Sequence, residues 1–351
     1  MKYPTWEEIK NNFFWPKEPV MITEDMPTFM GVPHAKTAKD LEGADVVIIG
    51  SSYVAGPDKE LWGVKKEEWA FAAKRVRQQS LHYRTGYITD FNLDVFEHLK
   101  VVDYGNPDFE LPPFGKKNPE EILKAQASME QKVNDVLDVG AVPIVIGQNS
   151  PCSSYAIAKP IAEHTKGNVG VVSLDAHWDI NPIDEDTYDP RIAGAANWKQ
   201  KMYNSHGNIH PKDLVEIGER GMLEIKDRVR WFLDQGAHFY SMWQVRQMGI
   251  EKIAQNISYA YENTNAVYAH FDMDVLGGAG PASADILGEL AEPIGLSDYE
   301  IILLAHEIGK RGVTGFSFIC IPPGSQVIYR TIVYVIMYML AGMVLAKAES
   351  N

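Results

Sequence analysis

At 351 residues the chain is about twice a typical domain length, which permits one large α/β domain or two smaller ones. Lys and Arg number 33 against 47 Asp and Glu, and the net charge of −14 argues against any surface that binds nucleic acid. Hydrophobic residues at 45% exclude a disordered chain, and two cysteines, Cys152 and Cys320, are too few for a disulfide framework or a thiolate zinc site, which fits a reducing, cytoplasmic compartment.

The chain opens on MKYPTWEEIKNNFFWPKEPV, which lacks the apolar core of a signal peptide. Its aromatics, Trp6, Phe13, Phe14 and Trp15, read as packing or subunit contacts, and residues 1–40 read as an N-terminal arm. From 41 to 351 a single domain is expected. Short β-branched runs recur at 45–50, 100–104, 142–147, 169–175, 215–218, 237–242, 266–274 and 312–321, and most are continuously apolar, as strands covered on both faces are. Helical patterns fall between them at 119–139, 155–164, 223–235, 249–262 and 296–310. The first follows an Asn118 cap with Pro119 in its first turn, and the last opens on a Ser297 to Glu300 capping-box spacing. The Pro/Gly-rich stretch 104–118 reads as a surface loop. Alternation of strand and helix predicts a three-layer α/β/α sandwich with a mainly parallel sheet of about eight strands. Residues 331–346 form an uncharged run of 16, short of the roughly 20 needed to cross a bilayer, so a buried helix or a subunit contact is expected and not a membrane span.

Chemistry concentrates in two clusters. In SLDAHWDINP, Asp175, His177 and Asp179 follow an apolar strand at spacing i, i+2, i+4, and an extended backbone turns alternate side chains to one face. In HFDMDVL, Asp272 and Asp274 repeat the device. Single Asp residues at strand ends are commonly helix caps. Two carboxylates and an imidazole at one strand end instead suit a divalent transition metal such as Mn, Ni or Zn, at the edge where open α/β sheets bind ligands.

On these residues, from about position 40 onward, the chain resembles the ureohydrolase family, the arginase and agmatinase group. Asp175-Ala176-His177-Trp178-Asp179 matches its D-A-H-x-D motif and Asp272-Met273-Asp274 its D-x-D motif. Val215 to Arg220 is similar to its strand ending in Gly-x-Arg, and Glu292-Pro293-Ile294-Gly295-Leu296 to its Glu-Pro-Gly-Gly-Leu segment, which makes Glu292 a candidate for substrate binding. The resemblance implies a three-layer fold built into trimers or hexamers, and hydrolysis of guanidino compounds by water activated on paired divalent metals. It also implies two ligand sets: Asp175, His177, Asp272 and Asp274 for one metal, and Asp175, Asp179, Asp272 and a histidine for the other.

The chain departs from that pattern in several places. Asn149 stands where the histidine belongs and Gln148 where its neighbouring Asp belongs, and a neutral amide oxygen is a weak ligand for Mn or Ni. At most one weakly held metal is therefore expected. Asn149 and Ser150 read more naturally as a cap on the following helix. Ala195 or Ala196 occupies the position of the family's proton-shuttling histidine, Gly277 and Gly278 replace an Asp-Pro pair after Leu276, and Ile319 stands where an acidic residue is common.

The pattern of losses resembles the impaired chain of a two-chain guanidine or biguanide hydrolase of the metformin hydrolase kind, whose paralogous partner keeps the complete binuclear Ni or Mn site. The alternatives are a self-sufficient amidinohydrolase of the agmatinase or guanidinase kind with an altered metal site, and a non-catalytic binding protein. His206 and His210 read as solvated loop residues, and Cys152 lacks the neighbouring histidine that a thiol nucleophile needs.

Overall fold

The computed structural model describes residues 5–10, 18–54, 60–61, 64–83, 85–107, 119–181, 189–194, 196–222, 224–278 and 292–349. Eight strands make one sheet: β1 (Val46–Gly50), β2 (Val101–Asp103), β3 (Val142–Ile146), β4 (Val169–Leu174), β5 (Ile209–Ile217), β6 (His238–Tyr240), β7 (Ala266–Asp272) and β8 (Gly315–Ile319). Their order is β6-β5-β4-β7-β8-β3-β1-β2, and every pairing is parallel. The eight runs expected from β-branched composition are these eight strands, with β5 beginning six residues earlier than its apolar core.

Each strand alternates between two hydrophobic layers. Val46, Ile48, Ile144, Leu174, Ile217, Phe271 and Phe318 face one, and Val47, Ile49, Val145, Val171, Leu214 and Tyr268 face the other. Four helices cover the second face: α2 (Pro119–Asp138), α3 (Ala156–His164), α4 (Trp198–Ser205) and α5 (Lys226–Asp234). The first is covered by α1 (Ala72–Ser80), α6 (Met242–Met248), α7 (Ile250–Asn256), α8 (Asp298–Arg311) and α9 (Gln326–Glu349). With both faces covered, the three-layer architecture follows from two-sided burial of the strands.

The helix expected over 249–262 breaks into α7 and a 3₁₀ turn, Ile257–Tyr261. Three of the nine helices that cover the sheet among the described residues, α1, α4 and α6, escape a search for apolar periodicity. In α1, the inward face carries Arg77, whose buried guanidinium donates to both oxygens of Asp103 at 2.8 and 2.9 Å, so its partner is an acid at the end of β2 and not an aliphatic layer. In α4, Lys199 and Trp198 point inward, and α6 is seven residues long, opened by a Ser241–Gln244 capping box. The capping box expected for α8 is present: Ser297 Oγ accepts from Glu300 N, and Glu300 Oε2 accepts from Ser297 N at 2.8 Å. Asn118 and 108–118 lie outside the described residues. Ser150 does not cap as expected, since its backbone is already helical and its side chain makes no capping bond.

The apolar segment 331–346 belongs to a longer helix than its uncharged core suggests. α9 runs 24 residues, and its Val327–Ala348 portion has the length and composition to cross a membrane. It packs on α8 at backbone contact: a Cβ on Gly309 would lie 2.0 Å from Met339 O, and one on Gly342 would lie 2.3 Å from His306 O. Most of that portion is buried inside the domain. In the arm, the described residues from Met26 to Ala35 lie along the same body, with Phe29 N donating to Asp103 at 2.9 Å.

Candidate metal centre

Parallel register builds a polar row beneath the C-terminal edge of the sheet. Glu216 on β5 pairs with Ser173 on β4, Ser173 with His270 on β7, and His270 with Ser317 on β8. All four are fully buried. Two residues further along β4 and β7, on the same face, stand Asp175 and Asp272.

Beyond β4 the backbone bends, so the expected convergence of Asp175, His177 and Asp179 does not arise from an extended strand. Asp175 Oδ1 accepts from His177 N at 2.8 Å, and Asp179 sits in the left-handed region at φ 51°. The bend brings His177 Nδ1 to 3.0 Å from Asp274 Oδ2, while Asp274 Oδ1 accepts from Ala176 N at 3.0 Å and Asp272 Oδ1 from Asp274 N at 2.9 Å. Asp175, His177, Asp272 and Asp274 are thus gathered in one place. Asp179 is turned to Trp198, whose indole Nε1 donates to its Oδ2 at 2.8 Å. Asn149 lies half-buried in the loop after β3. Its neighbour Gln148 is a tie between elements: its amide donates to Trp69 O and Ile321 O at 3.0 and 2.6 Å and accepts from Ile321 N at 2.8 Å.

Two residues unremarked in the sequence complete the cluster. Lys199, in the first turn of α4, is fully buried, and its ammonium donates to Asp175 Oδ2 and Glu216 Oε1, both at 3.0 Å, and to His177 O at 3.3 Å. A lone lysine in a polar helix reads as solvated, and only the tertiary fold turns it inward. His270 carried a signal: it precedes Asp272 by two residues on a strand and so shares its face. Its Nδ1 lies 3.2 Å from Ser317 Oγ, its ring packs on Trp198 at 4.4 Å between centroids, and its buried Nε2 has no hydrogen-bond partner.

The electrostatics follow from many acids in a dry space. Burial, reinforced by neighbouring carboxylates, pushes Asp272 and Asp179 well above the usual range, and burial raises Glu216 likewise. Burial also raises Asp175, opposed by the Lys199 charge, to about 6. For His177, burial disfavours the cation, but Asp274 against its Nδ1, with Asp175 and Asp179 nearby, more than offsets this and holds it up at about 10. Burial and the Lys199 charge push His270 well down, so its imidazole is neutral.

Two triads present ligand atoms within 4.8 Å of one another: Asp175, His177 and Asp274, and Asp175, His270 and Asp272. Each offers two carboxylates and an imidazole, a donor set of the right chemistry for a divalent transition metal. His270 also has the Ser317 contact that orients a ligand imidazole. The two triads share Asp175, and the Lys199 ammonium already rests on it.

Around this cluster, Arg220 donates to the carbonyls of Asp274, Val275, Leu276 and Glu292, clasping the loop after β7 to the Glu292–Leu296 segment. There Gly277 and Gly295 meet backbone to backbone, too close for a Cβ on either. Ile319 ends β8 buried and in register with Asp272, and the next residue, Cys320, sets its thiol against Asp272, where burial beside these carboxylates pushes it well up. Ala195 lies outside the described residues, and Ala196 is exposed, its carbonyl accepting from Asn181 N at 2.8 Å. His206 and His210 are not solvated loop residues: His206 ends α4 half-buried beside Tyr155, and His210 lies on β5. Cys152 is buried with its thiol pushed well up, unsuited to attack.

The arginase family model matches residues 44–340. Among curated proteins, the chain is similar to proclavaminate amidinohydrolase of Streptomyces clavuligerus, 26% identical over 302 residues that cover 85% of this chain and 86% of that protein. It is 22% identical over 250 residues to guanidinobutyrase of Pseudomonas aeruginosa, 70% of each chain. Among solved structures, that of the same proclavaminate amidinohydrolase superposes with a TM-score of 0.72 at 22% identity, over 90% of this chain and 97% of the other. A Mn²⁺-bound formiminoglutamase from Trypanosoma cruzi superposes with a TM-score of 0.69 at 21% identity, over 91% and 99%.

Proposed function

The chain belongs to the arginase family, and on that premise we propose that it is the impaired subunit of a two-chain, metal-dependent hydrolase that cleaves a C–N bond of a guanidino or biguanide compound of the metformin kind. Relatives named as an amidinohydrolase and a guanidinobutyrase support the hydrolase class and the guanidino substrate.

One observation carries the impairment: the Lys199 ammonium lies 3.0 Å from Asp175 Oδ2. A metal pair would draw on that carboxylate, and at such distances a fixed positive charge would repel an incoming cation strongly in a dry site. With Asn149 offering only an amide oxygen, the donors fit one divalent cation, held by Asp175, His177, Asp272 and Asp274, and not a pair. Such a cation, when bound, supplies Lewis acidity and an acidified water. Glu292 is placed by Arg220 and Gly278 N through its carbonyl, which leaves its carboxylate to meet a guanidinium. A partner with the complete ligand set, in a trimer or hexamer, carries the turnover.

The test is coexpression. The chain alone should be inactive against a guanidine panel that includes metformin, and active only when coexpressed with a paralogue bearing the full ligand set, with light scattering showing a mixed assembly. A monomer indifferent to that paralogue ends this reading. The Asp175, His270 and Asp272 triad favours a second reading, a self-sufficient amidinohydrolase with a displaced metal, for which turnover by the isolated chain with Mn or Ni is the test.

A further inference from the structure

We propose that Lys199 is a built-in cation that takes the place of a metal at this centre, so that removing its charge turns the pocket of Asp175, His270 and Asp272 into a divalent-cation site. The inference rests on the reading of the chain as an impaired member of its family.

Three observations carry it. The ammonium is satisfied in full: three protons meet Asp175 Oδ2, Glu216 Oε1 and His177 O, as a bound cation is satisfied by its oxygen ligands. Its carrier is locked in position, because the adjacent Trp198 donates to Asp179 and packs on His270, which makes the first turn of α4 a plug in the cluster. Finally, His270 holds its Nδ1 near Ser317 and leaves a fully buried Nε2 without a partner, and its imidazole sets a ring nitrogen within 4.8 Å of carboxylate oxygens of Asp175 and Asp272. An apolar core needs no such nitrogen, and an unpaired buried polar atom is costly. A neutral imidazole and two carboxylates are a cation site in all but the cation, and the positive charge is instead delivered on a side chain from α4. One ammonium in place of a dication also bridges acids at this density, since Lys199 donates to Asp175 and Glu216 from between them.

The experiment uses the full-length chain, Co²⁺ as the only added metal, and equilibrium dialysis with visible absorption as the readout. Wild type should take up at most one Co²⁺ per chain. Lys199→Ala should take up one more, with the absorption of a nitrogen-ligated ion, and His270→Ala in that background should remove the additional equivalent. If Lys199→Ala does not fold, Lys199→Ala/Glu216→Gln, which also withdraws the unpaired acid, carries the same measurement. Equal uptake by wild type and the Lys199 variant overturns the proposal, as does a gain that survives His270→Ala or two Co²⁺ in wild type. An inactive mixed assembly with this exchange intact sinks the functional reading alone, whereas an active one without the exchange sinks the inference alone.

Discussion

Lys199 Nζ and Asp175 Oδ2 stand 3.0 Å apart with both side chains fully removed from solvent, and Glu216 Oε1 stands 3.0 Å away on the other side of the same ammonium. A buried pair contributes little net stability when whole and a large penalty when halved, because the survivor is a charge without water or partner. Lys199→Met is therefore expected to lower the unfolding free energy by about 3–5 kcal/mol, and adding Glu216→Gln to recover part of it. Urea titration of the two variants checks this. If Lys199→Met is as stable as wild type, the ammonium is not buried as described.

Asn149→His places an imidazole in the loop after β3 while leaving Lys199 in the chain. On the reading proposed above, in which Ala195 or Ala196 takes the place of a proton-carrying histidine, the expected outcome is a rise in bound Mn or Ni by elemental analysis with no full recovery of turnover. Family-level rates from that one substitution contradict the account of the remaining losses.

The pH dependence of stability separates His177 from its neighbours. Its ordinary value of 6.5 is raised to about 10, so folding favours the cation; the stabilisation is complete below 6.5 and is lost as pH rises through 10. Asp175, raised from 3.8 to about 6, and Glu219, raised from 4.5 to about 8 by burial and the nearby Glu224, also favour their protonated forms in the fold, so their stabilisation is complete at low pH and is lost as pH rises through about 6 and about 8. Between about 8 and 10 the decline belongs to His177 among these three. In metal-free buffer the urea midpoint should fall across that interval more in wild type than in His177→Gln, in which the other raised groups, Asp179, Glu216, Asp272, Cys152 and Cys320, still contribute. A decline of the same size in both assigns it to another group.

Helix α9 tests the fold apart from the site. Leu at Gly342 places a side chain where His306 O lies 2.3 Å from an ideal Cβ, and the α8–α9 crossing has no flexible atom to yield. Overpacking of this kind costs about 1–3 kcal/mol. A fall in thermal midpoint with unchanged metal content is expected, and an unchanged midpoint means that the helices do not meet there.

The eight strands were legible because a strand buried on both faces is apolar at most positions, which leaves the same mark on composition as on structure. Asp175, His177, Asp272 and Asp274 were legible as candidates because they follow two apolar strands at spacings of two, although beyond β4 it is a bend of the backbone that gathers them. The Ser297 capping box was legible because its atoms are three residues apart. Sheet order, by contrast, is set by β7 and β8 filling the gap that β3 and β4 leave, through contacts such as Val169 with Ala266 and Ile144 with Phe316 between segments far apart in the chain. Lys199 was invisible for the same reason: nothing near it in the chain marks a lysine as buried, and its partners Asp175 and Glu216 are brought to it only when β4 and β5 pair beneath α4. Local spacing determined which residues could serve chemistry, and long-range packing decided which charge sits among them, because a buried ammonium is stable only where the fold has already collected its counter-charges.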